Sequence, residues 1–134
     1  MSREVHEGEK NIIECFFEDI KSEKDLRMML IGHGVDDFDK RFVMQRCAVL
    51  NIEVPELFRQ SFCYDTMKEW GGRYNRDKYP SLEKLCLAMG IEHDDTFSGA
   101  DVWEAVKAGE YQKVIDHCTD DVKAVREVYQ RMVG

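Results

Sequence analysis

Two short acidic segments, far apart in the chain, carry the side chains best suited to metal-dependent chemistry. The first runs from Ile31 to Asp39 and reads Ile-Gly-His-Gly-Val-Asp-Asp-Phe-Asp. The second runs from His117 to Val122 and reads His-Cys-Thr-Asp-Asp-Val. Carboxylate oxygens are the ligands that Mg²⁺ and Mn²⁺ prefer. We therefore expect the carboxylates of Asp39 and Asp121 to converge on one divalent cation.

His117 lies four residues before Asp121, a spacing that would let both side chains contact the same substrate. Side chains four residues apart share a helix face, and a neutral imidazole can accept a proton from water. Two-metal hydrolysis of a phosphodiester holds its cations about 3.5–4 Å apart, and such a cluster generally needs more than two carboxylates. The candidate catalytic residues are therefore Asp39, His117 and Asp121, with enough carboxylates to hold one metal weakly.

A segment rich in basic and aromatic residues, 68–84, is the candidate contact surface for single-stranded nucleic acid. Basic side chains contact phosphates there, and aromatic rings stack on bases. The candidate nucleic-acid contacts in this segment and in the first acidic segment are His33, Phe38, Arg73, Tyr74, Arg76 and Lys78. A surface loop whose aromatic residues pack on the core explains the segment equally well.

Structural explanations compete with functional ones at several polar positions. Asp120 and Asp121 follow Thr119 and could mark the start of a helix, where acidic side chains complement the helix dipole. His33 is as well explained by hydrogen bonds within a turn as by contact with a substrate. His93 lies in a polar segment and gives no strong functional signal.

Composition places the chain among globular proteins and sets limits on its partners. The 134 residues predict a single domain over 1–134, with 43% apolar and 34% charged residues. The net charge of −8 opposes nonspecific binding to nucleic acid, which relies on Lys and Arg. No long apolar run and no apolar leader are present, so we expect a cytoplasmic protein that does not enter a membrane.

The cysteines predict neither a zinc centre nor a disulfide framework. There are five of them, scattered and without a Cys-x-x-Cys pair. Four fall on apolar faces of predicted helices, and we expect them to be small core residues in a reducing compartment. These four are Cys15, Cys47, Cys86 and Cys118.

Hydrophobic periodicity predicts a mostly helical α/β protein with one to three short strands. Helices are expected at 10–21, 37–50, 81–90, 100–108 and 110–132, and strands at 27–32 and 61–67. In the first helix the expected inward stripe is Ile12, Ile13, Phe16, Phe17 and Ile20. In the second it is Phe42, Val43, Cys47 and Leu50. Because a strand needs paired neighbours, so few strands indicate that another chain or another copy supplies more.

The order of several motifs resembles the exonuclease family related to the proofreading domain of family B DNA polymerases. The resemblance covers the stretch from Ile31 to Met132 and includes both acidic segments. The other matching positions are Arg46, Pro55, Asp65-Thr66-Met67, Ser81-Leu82, Gly90 and Ser98-Gly99. It implies a ribonuclease H-like fold, 3′–5′ exonuclease activity and dependence on Mg²⁺ or Mn²⁺.

The resemblance also assigns roles to single residues. Asp39 and Asp121 would be metal ligands, and His117 would replace the tyrosine that positions the attacking water. Gly34 stands where the family has an asparagine. The family's first motif, an Asp-x-Glu on an opening strand, is not found in the sequence. None of the N-terminal acids has that spacing; these acids are Glu4, Glu7, Glu9 and Glu14.

Two functions follow from this pattern of motifs. One is a 3′–5′ exonuclease-like hydrolase with an N-terminally truncated ribonuclease H-like fold, weak or inactive as this chain alone. A homo-oligomer or a partner chain would then supply the missing strands. The alternative is a non-catalytic binding or regulatory protein, which self-associates or binds a partner protein through a degenerate exonuclease scaffold.

Overall fold

The structure, a computed structural model, describes residues 3–21, 27–72, 76–94, 97 and 99–134. The side chains of residues 3–6, Asp37 and Arg76 lie outside this description. The chain divides into two compact units. The first contains Met1–Leu30 and Gly34–Tyr64, and the second contains Ile31–His33 and Asp65–Gly134. The single domain expected over 1–134 stays a prediction.

The described residues form a mixed, helix-rich α/β fold. The α-helices are α1 (Arg3–Lys21), α2 (Lys40–Leu50), α3 (Glu56–Arg59), α4 (Thr66–Gly71), α5 (Leu82–Met89), α6 (Gly99–Lys107) and α7 (Tyr111–Val133). The strands are β1 (Met29–Gly32) and β2 (Phe62–Asp65), and they form a two-stranded parallel sheet. A π-helical turn at Val35–Asp39 and a 3₁₀ turn at Arg76–Lys78 complete the secondary structure. Among the described residues, no helix combines the length and apolar character needed to cross a bilayer.

The core of the first unit is an aromatic cluster between α1, α2 and α3. Phe17 and Ile20 of α1 pack with Cys47 of α2 and Phe58 of α3, all of them buried. The rings of Phe17 and Phe58 lie 5.4 Å apart, and Phe16 meets Phe58 edge-on at 5.9 Å. Burial of large apolar side chains is the main force that holds such helices together.

The entry into α2 is set by a glycine and a lysine. Gly34 has a φ of 86°, a conformation that glycine adopts at little cost, and it opens the π-helical turn. Lys40, the first residue of α2, donates hydrogen bonds from Nζ to the carbonyl oxygens of Arg59 and Ser61 at 3.0 and 2.9 Å. These bonds fix the start of α2 beside the segment that leads into β2.

The core of the second unit lies between α5 and α7. It consists of Leu85, Cys86, Ile91, Ala124 and Val128. The predicted helix signals are confirmed at α5, where Ser81 Oγ accepts a hydrogen bond from the backbone N–H of Lys84. Gly90, with a φ of 68°, then ends the helix in the left-handed conformation.

Several residues predicted to face the core are exposed instead. Phe42 is 49% exposed and Ile12 is 72% exposed, although their neighbours Val43 and Ile13 pack on the first core. In each of these two helices, therefore, only part of the predicted apolar stripe is covered by the core. Cys15 and Cys118 are likewise exposed, so only Cys47 and Cys86 of the four expected core cysteines are buried.

Candidate functional site

Helix α7 presents the second acidic segment from its middle rather than from its start. The helix runs without interruption from Tyr111 to Val133, through Thr119. Asp120 and Asp121 therefore lie nearly three turns inside the helix, where the dipole gives an acid no advantage. The helix-start explanation of these two residues is wrong, and their position requires another one.

A buried histidine from outside α7 contacts Asp121. After α5 ends at Gly90, the backbone N–H of Ile91 bonds to the carbonyl of Cys86 at 2.9 Å and the Ile91 side chain enters the core. This anchor directs His93 towards α7, where its side chain is only 6% exposed. His93 Nε2 lies 2.7 Å from Asp121 Oδ1.

The same segment is tied to the neighbouring carboxylate. The backbone N–H of Asp94 donates to Asp120 Oδ2 at 3.0 Å, and His93 Nε2 lies 3.8 Å from that oxygen. Two consecutive aspartates of α7 thus bind two consecutive residues of the segment that follows α5. Asp120 and Asp121 therefore fix the position of residues 91–94 as well as forming an acidic centre.

A second histidine approaches the other oxygen of Asp121. His117 Nε2 lies 3.3 Å from Asp121 Oδ2, with the two side chains one turn apart on α7. The ring of Phe97 packs against the His117 ring with centroids 5.2 Å apart. The shared helix face expected for His117 and Asp121 is therefore present, and Asp121 lies between two imidazoles.

The hydrogen bonds of His93 assign its tautomer. An ionised carboxylate only accepts hydrogen bonds, so Nε2 of His93 must carry the hydrogen in the 2.7 Å bond to Asp121. In the neutral ring, Nδ1 then carries a lone pair. Nδ1 is buried and has no hydrogen-bond partner in the part of the chain that the structure describes. Within the described residues, no acceptor is thus in place for a hydrogen on Nδ1.

The His117 face of this cluster opens into an acidic cleft of 560 Å³. The cleft is lined by Asp94, Phe97, Lys113, Asp116, His117 and Asp120. Lys113, the only lining lysine among the described residues, pairs with Glu110 at 3.0 Å. The walls are therefore dominated by carboxylates, an environment that favours a cation over an anion.

The acidic cluster also acts on a buried thiol. Cys86 is 1% exposed, and burial raises the pKa of its thiol. The negative charges of Asp120, Glu127 and Asp121 raise that pKa further. Because the thiolate is the reactive form, Cys86 is held in its unreactive state.

The cluster contains enough donor atoms for a metal ion. One ligand atom from each of His93, Asp120 and Asp121 lies within 4.8 Å of the others. Binding through Nε2 of His93 would, however, move the ring hydrogen to Nδ1, which has no acceptor in the described part of the protein. Histidine ligands almost always donate that second N–H to a partner. His93 therefore fits the role of hydrogen-bond donor to Asp121 better than the role of ligand.

The two predicted metal ligands belong to different units. Asp39 is an exposed residue at the junction of the π-helical turn and α2, in the first unit. Asp121 belongs to the second unit. Their convergence on one cation stays a prediction.

Among the predicted nucleic-acid contacts, His33 is engaged inside the protein. Its Nε2 lies 2.7 Å from the carbonyl oxygen of Pro80, and its Nδ1 lies 2.9 Å from Thr66 Oγ1. Since a carbonyl only accepts, Nε2 donates to Pro80. The Thr66 hydroxyl has one hydrogen and lies within reach of two groups, His33 Nδ1 and the carbonyl oxygen of Gly32 at 3.3 Å. These bonds favour the structural explanation of His33.

The remaining predicted contacts differ in how far the structure describes them. Phe38 is 65% exposed and stacks on Phe42, with ring centroids 5.8 Å apart and an interplanar angle of 7°. Lys78 is exposed, and its backbone carbonyl approaches Gly71 so closely that an added Cβ would lie 2.7 Å from the oxygen. Arg73 and Tyr74 lie outside the described residues, as does the Arg76 side chain.

The sequence did not single out His93, although it is the most deeply buried polar member of the cluster. Its neighbours Glu92 and Asp94 are polar, so composition suggests a solvated loop. The only available signal is the alternation of Ile91 and His93, which is too short to establish a buried face. The contact depends on packing between α5 and α7, which residue spacing does not reveal.

Comparison with known proteins brings no relative to set beside this site. No protein-family model, no curated protein and no solved structure matches the chain. The likeness of its motifs to those of the exonuclease family stays a prediction. The function is therefore argued from the geometry of the site.

Proposed function

We propose that the chain is a 3′–5′ exonuclease-like phosphodiester hydrolase of nucleic acid, with a ribonuclease H-like ancestry. It acts weakly or not at all as this chain alone, and it works in the cytoplasm. The proposal rests on one observation: His117 Nε2 lies 3.3 Å from Asp121 Oδ2, beside an acidic cleft. This is the pairing of proton acceptor and metal-binding carboxylate that the motif order predicts.

Each residue has a defined task in such a reaction. Mg²⁺ or Mn²⁺ bound at Asp121 would polarise the phosphate and supply an activated water. His117 accepts a proton in its neutral form. By the rule applied to His93, the accepting nitrogen is Nδ1, because Nε2 faces a carboxylate oxygen. Phe97 covers one face of His117 and limits its rotation. His93 donates to Asp121 Oδ1 and fixes the direction of the second carboxylate oxygen.

The carboxylate set accounts for the low activity that we propose. No Asp-x-Glu is present in the sequence, so a two-metal cluster would lack its usual carboxylates. Asp39 is the further ligand in this proposal. A homo-oligomer or a partner chain that adds strands would complete the site.

The test is degradation of a 5′-labelled single-stranded oligonucleotide with Mg²⁺ or Mn²⁺. We expect slow loss of nucleotides from the 3′ end, abolished by chelation and by Asp121→Asn. A matched control is Asp77→Asn, which makes the same charge change at an exposed aspartate of the 3₁₀ turn. Degradation that survives Asp121→Asn would show a contaminating nuclease. No degradation with either metal, at low or high protein concentration, would refute hydrolysis by this chain and by its homo-oligomer, and would leave a partner chain as the remaining way to complete the site.

A non-catalytic binding protein is the second candidate, and the exposed apolar side chains of the first unit favour it. Phe38 and Phe42 present a stacked pair to solvent, and Phe62 of β2 is 64% exposed. Exposed large apolar side chains such as these can mark a protein interface. A dimer in sedimentation equilibrium that Phe42→Ser dissociates, together with no nuclease activity, would favour this candidate. A monomer at all concentrations would argue against self-association.

A further inference from the structure

Helix α7 carries a second apolar stripe beside the face that packs in the core. The core face supplies Ala124 and Val128, which are 2% and 0% exposed. The second stripe has apolar residues at spacings of four, three, four, three and four, the pattern that forms the seam of a coiled coil. The α7 stripe consists of Tyr111, Ile115, Cys118, Val122, Val125 and Tyr129.

Much of the α7 stripe is open to solvent. Tyr111 is 61% exposed, Ile115 is 55% exposed and Val122 is 68% exposed. Cys118, which lies between Ile115 and Val122, is exposed as well. Residues three and four apart are neighbours on a helix surface. These side chains therefore form a continuous apolar strip along about three turns of the helix.

We propose that the α7 stripe is the interface of a homodimer, in which α7 packs antiparallel against α7 of a second copy. The two copies use the same surface, as a two-fold axis requires. This surface lies in the second unit, apart from the exposed phenylalanines of the first unit that favour the second candidate function. The inference requires neither nuclease activity nor a metal ion.

The residue types of the α7 stripe are symmetric about position 120. Antiparallel pairing about a two-fold axis at this position sets Tyr111 level with Tyr129 of the second copy. It also sets Ile115 level with Val125, and Cys118 level with Val122. Aromatic residues then meet at both ends of the interface, and small or branched residues meet between them. A surface that matches itself when reversed fits a second copy of this chain.

Charges beside the α7 stripe favour the antiparallel direction. Asp116 lies in the N-terminal half of the helix, whereas Lys123 and Arg126 lie in the C-terminal half, and all three are exposed. Antiparallel pairing brings the acidic half of one helix towards the basic half of the other. It also sets the two helix dipoles in opposite directions. Parallel pairing would place like charges side by side, which is unfavourable.

The experiment measures self-association of the full chain by sedimentation equilibrium, under reducing conditions and without nucleic acid. We expect an equilibrium between monomer and dimer. Val122→Glu places a charge at the centre of the stripe and should raise the Kd by about ten-fold or more, as loss of a central interface contact does. The matched control is Gln130→Glu, at an exposed position outside the stripe, which should change the Kd by less than about three-fold. Circular dichroism confirms that both variants are folded.

Disulfide cross-linking tests the direction of pairing, in a Cys15→Ser background that removes the other exposed thiol. In the antiparallel register Cys118 lies level with position 122 of the second copy. Val122→Cys should therefore give a disulfide-linked dimer on mild oxidation. Adding Cys118→Ser should abolish the link. A link that persists without Cys118 would mean that equal positions meet, and would overturn the antiparallel direction.

Failure of this inference can be told apart from failure of the proposed function. A monomer at every concentration, or a dimer that Val122→Glu leaves unchanged, would overturn the α7 interface. A dimer that Phe42→Ser dissociates and Val122→Glu does not would overturn it too, and would assign self-association to the first unit. A dimer that Val122→Glu dissociates would support the interface, whether or not the chain degrades an oligonucleotide.

Discussion

The two units of this protein bury different kinds of side chain: the first buries apolar residues, and the second also buries a polar one. The first unit buries an aromatic and aliphatic cluster around Phe17 and Phe58. The second buries an aliphatic cluster, and beside it a histidine bonded to a carboxylate. Apolar burial is tolerant of exchange, whereas a buried polar group must find its partner. At the buried histidine of the second unit, loss of a single hydrogen-bonding atom should therefore cost more stability than an exchange between apolar side chains of similar size.

The exposed surfaces also differ, being apolar in part of the first unit and acidic in part of the second. The first unit shows a stacked phenylalanine pair to solvent, and the second opens an acidic cleft. Stacked rings suit a base or an apolar partner, and carboxylates with an imidazole suit a cation. The stacked rings thus belong to the first unit, and the residues that line the acidic cleft belong to the second.

The largest expected effect comes from the aromatic core of the first unit. Phe58→Ala removes a ring that is 2% exposed and should lower the free energy of unfolding by about 3–5 kcal/mol. The matched control is Phe62→Ala, at a ring that is 64% exposed, with an expected effect within about 0.5 kcal/mol. Urea unfolding followed by circular dichroism measures both. Similar losses would mean that Phe62 is covered in solution, as in a dimer.

An intermediate effect is expected from the polar cluster of the second unit. Asp121→Ala leaves the buried Nε2–H of His93 without its acceptor, and should lower the free energy of unfolding by about 1–3 kcal/mol. Asp116→Ala, at an exposed aspartate of the same helix, should change it by less than about 0.5 kcal/mol. Urea titration in chelator measures both values. Greater stability in Asp121→Ala would mean that charge repulsion outweighs the hydrogen bond.

The smallest expected effect compares one buried thiol from each unit. Burial raises the pKa of both Cys47 and Cys86 above the ordinary thiol value. A raised pKa in the folded state adds stability that is complete below the pKa of the unfolded thiol, about 8.5. That stability is lost as the pH rises through the folded pKa. The free energy of unfolding should therefore decline above this pH, and less steeply in Cys47→Ala and Cys86→Ala.

Salt should separate the two thiols. The pKa of Cys86 is raised partly by Asp120, Glu127 and Asp121, whereas that of Cys47 is raised by burial alone. High salt screens charges but leaves burial unchanged. The alkaline decline assigned to Cys86 should shrink in high salt, and that of Cys47 should not. Equal responses would show that the carboxylates do not act on Cys86.

The sequence predicted most of the longer helices and both strands, but it predicted less well which side of each helix is buried. Both strands and the helices at 81–90, 100–108 and 110–132 were confirmed, and the helix expected at 10–21 begins earlier, at Arg3. The helices carry apolar residues at helical spacing, a signal that is local in the sequence. Phe42 was placed inside and lies outside. Apolar residues at helical spacing predict the helix. The elements that pack against the helix decide which of those residues are buried.

The sequence by itself determined the pairing of His117 with Asp121, because four residues are one turn of any helix. It also determined the caps at Ser81 and Gly90. Only the tertiary structure decided that His93 completes this pair, since the packing of Ile91 into the α5–α7 core directs a distant ring at Asp121. Spacing along one helix is fixed by covalent geometry, whereas contact between segments depends on which apolar surfaces find each other.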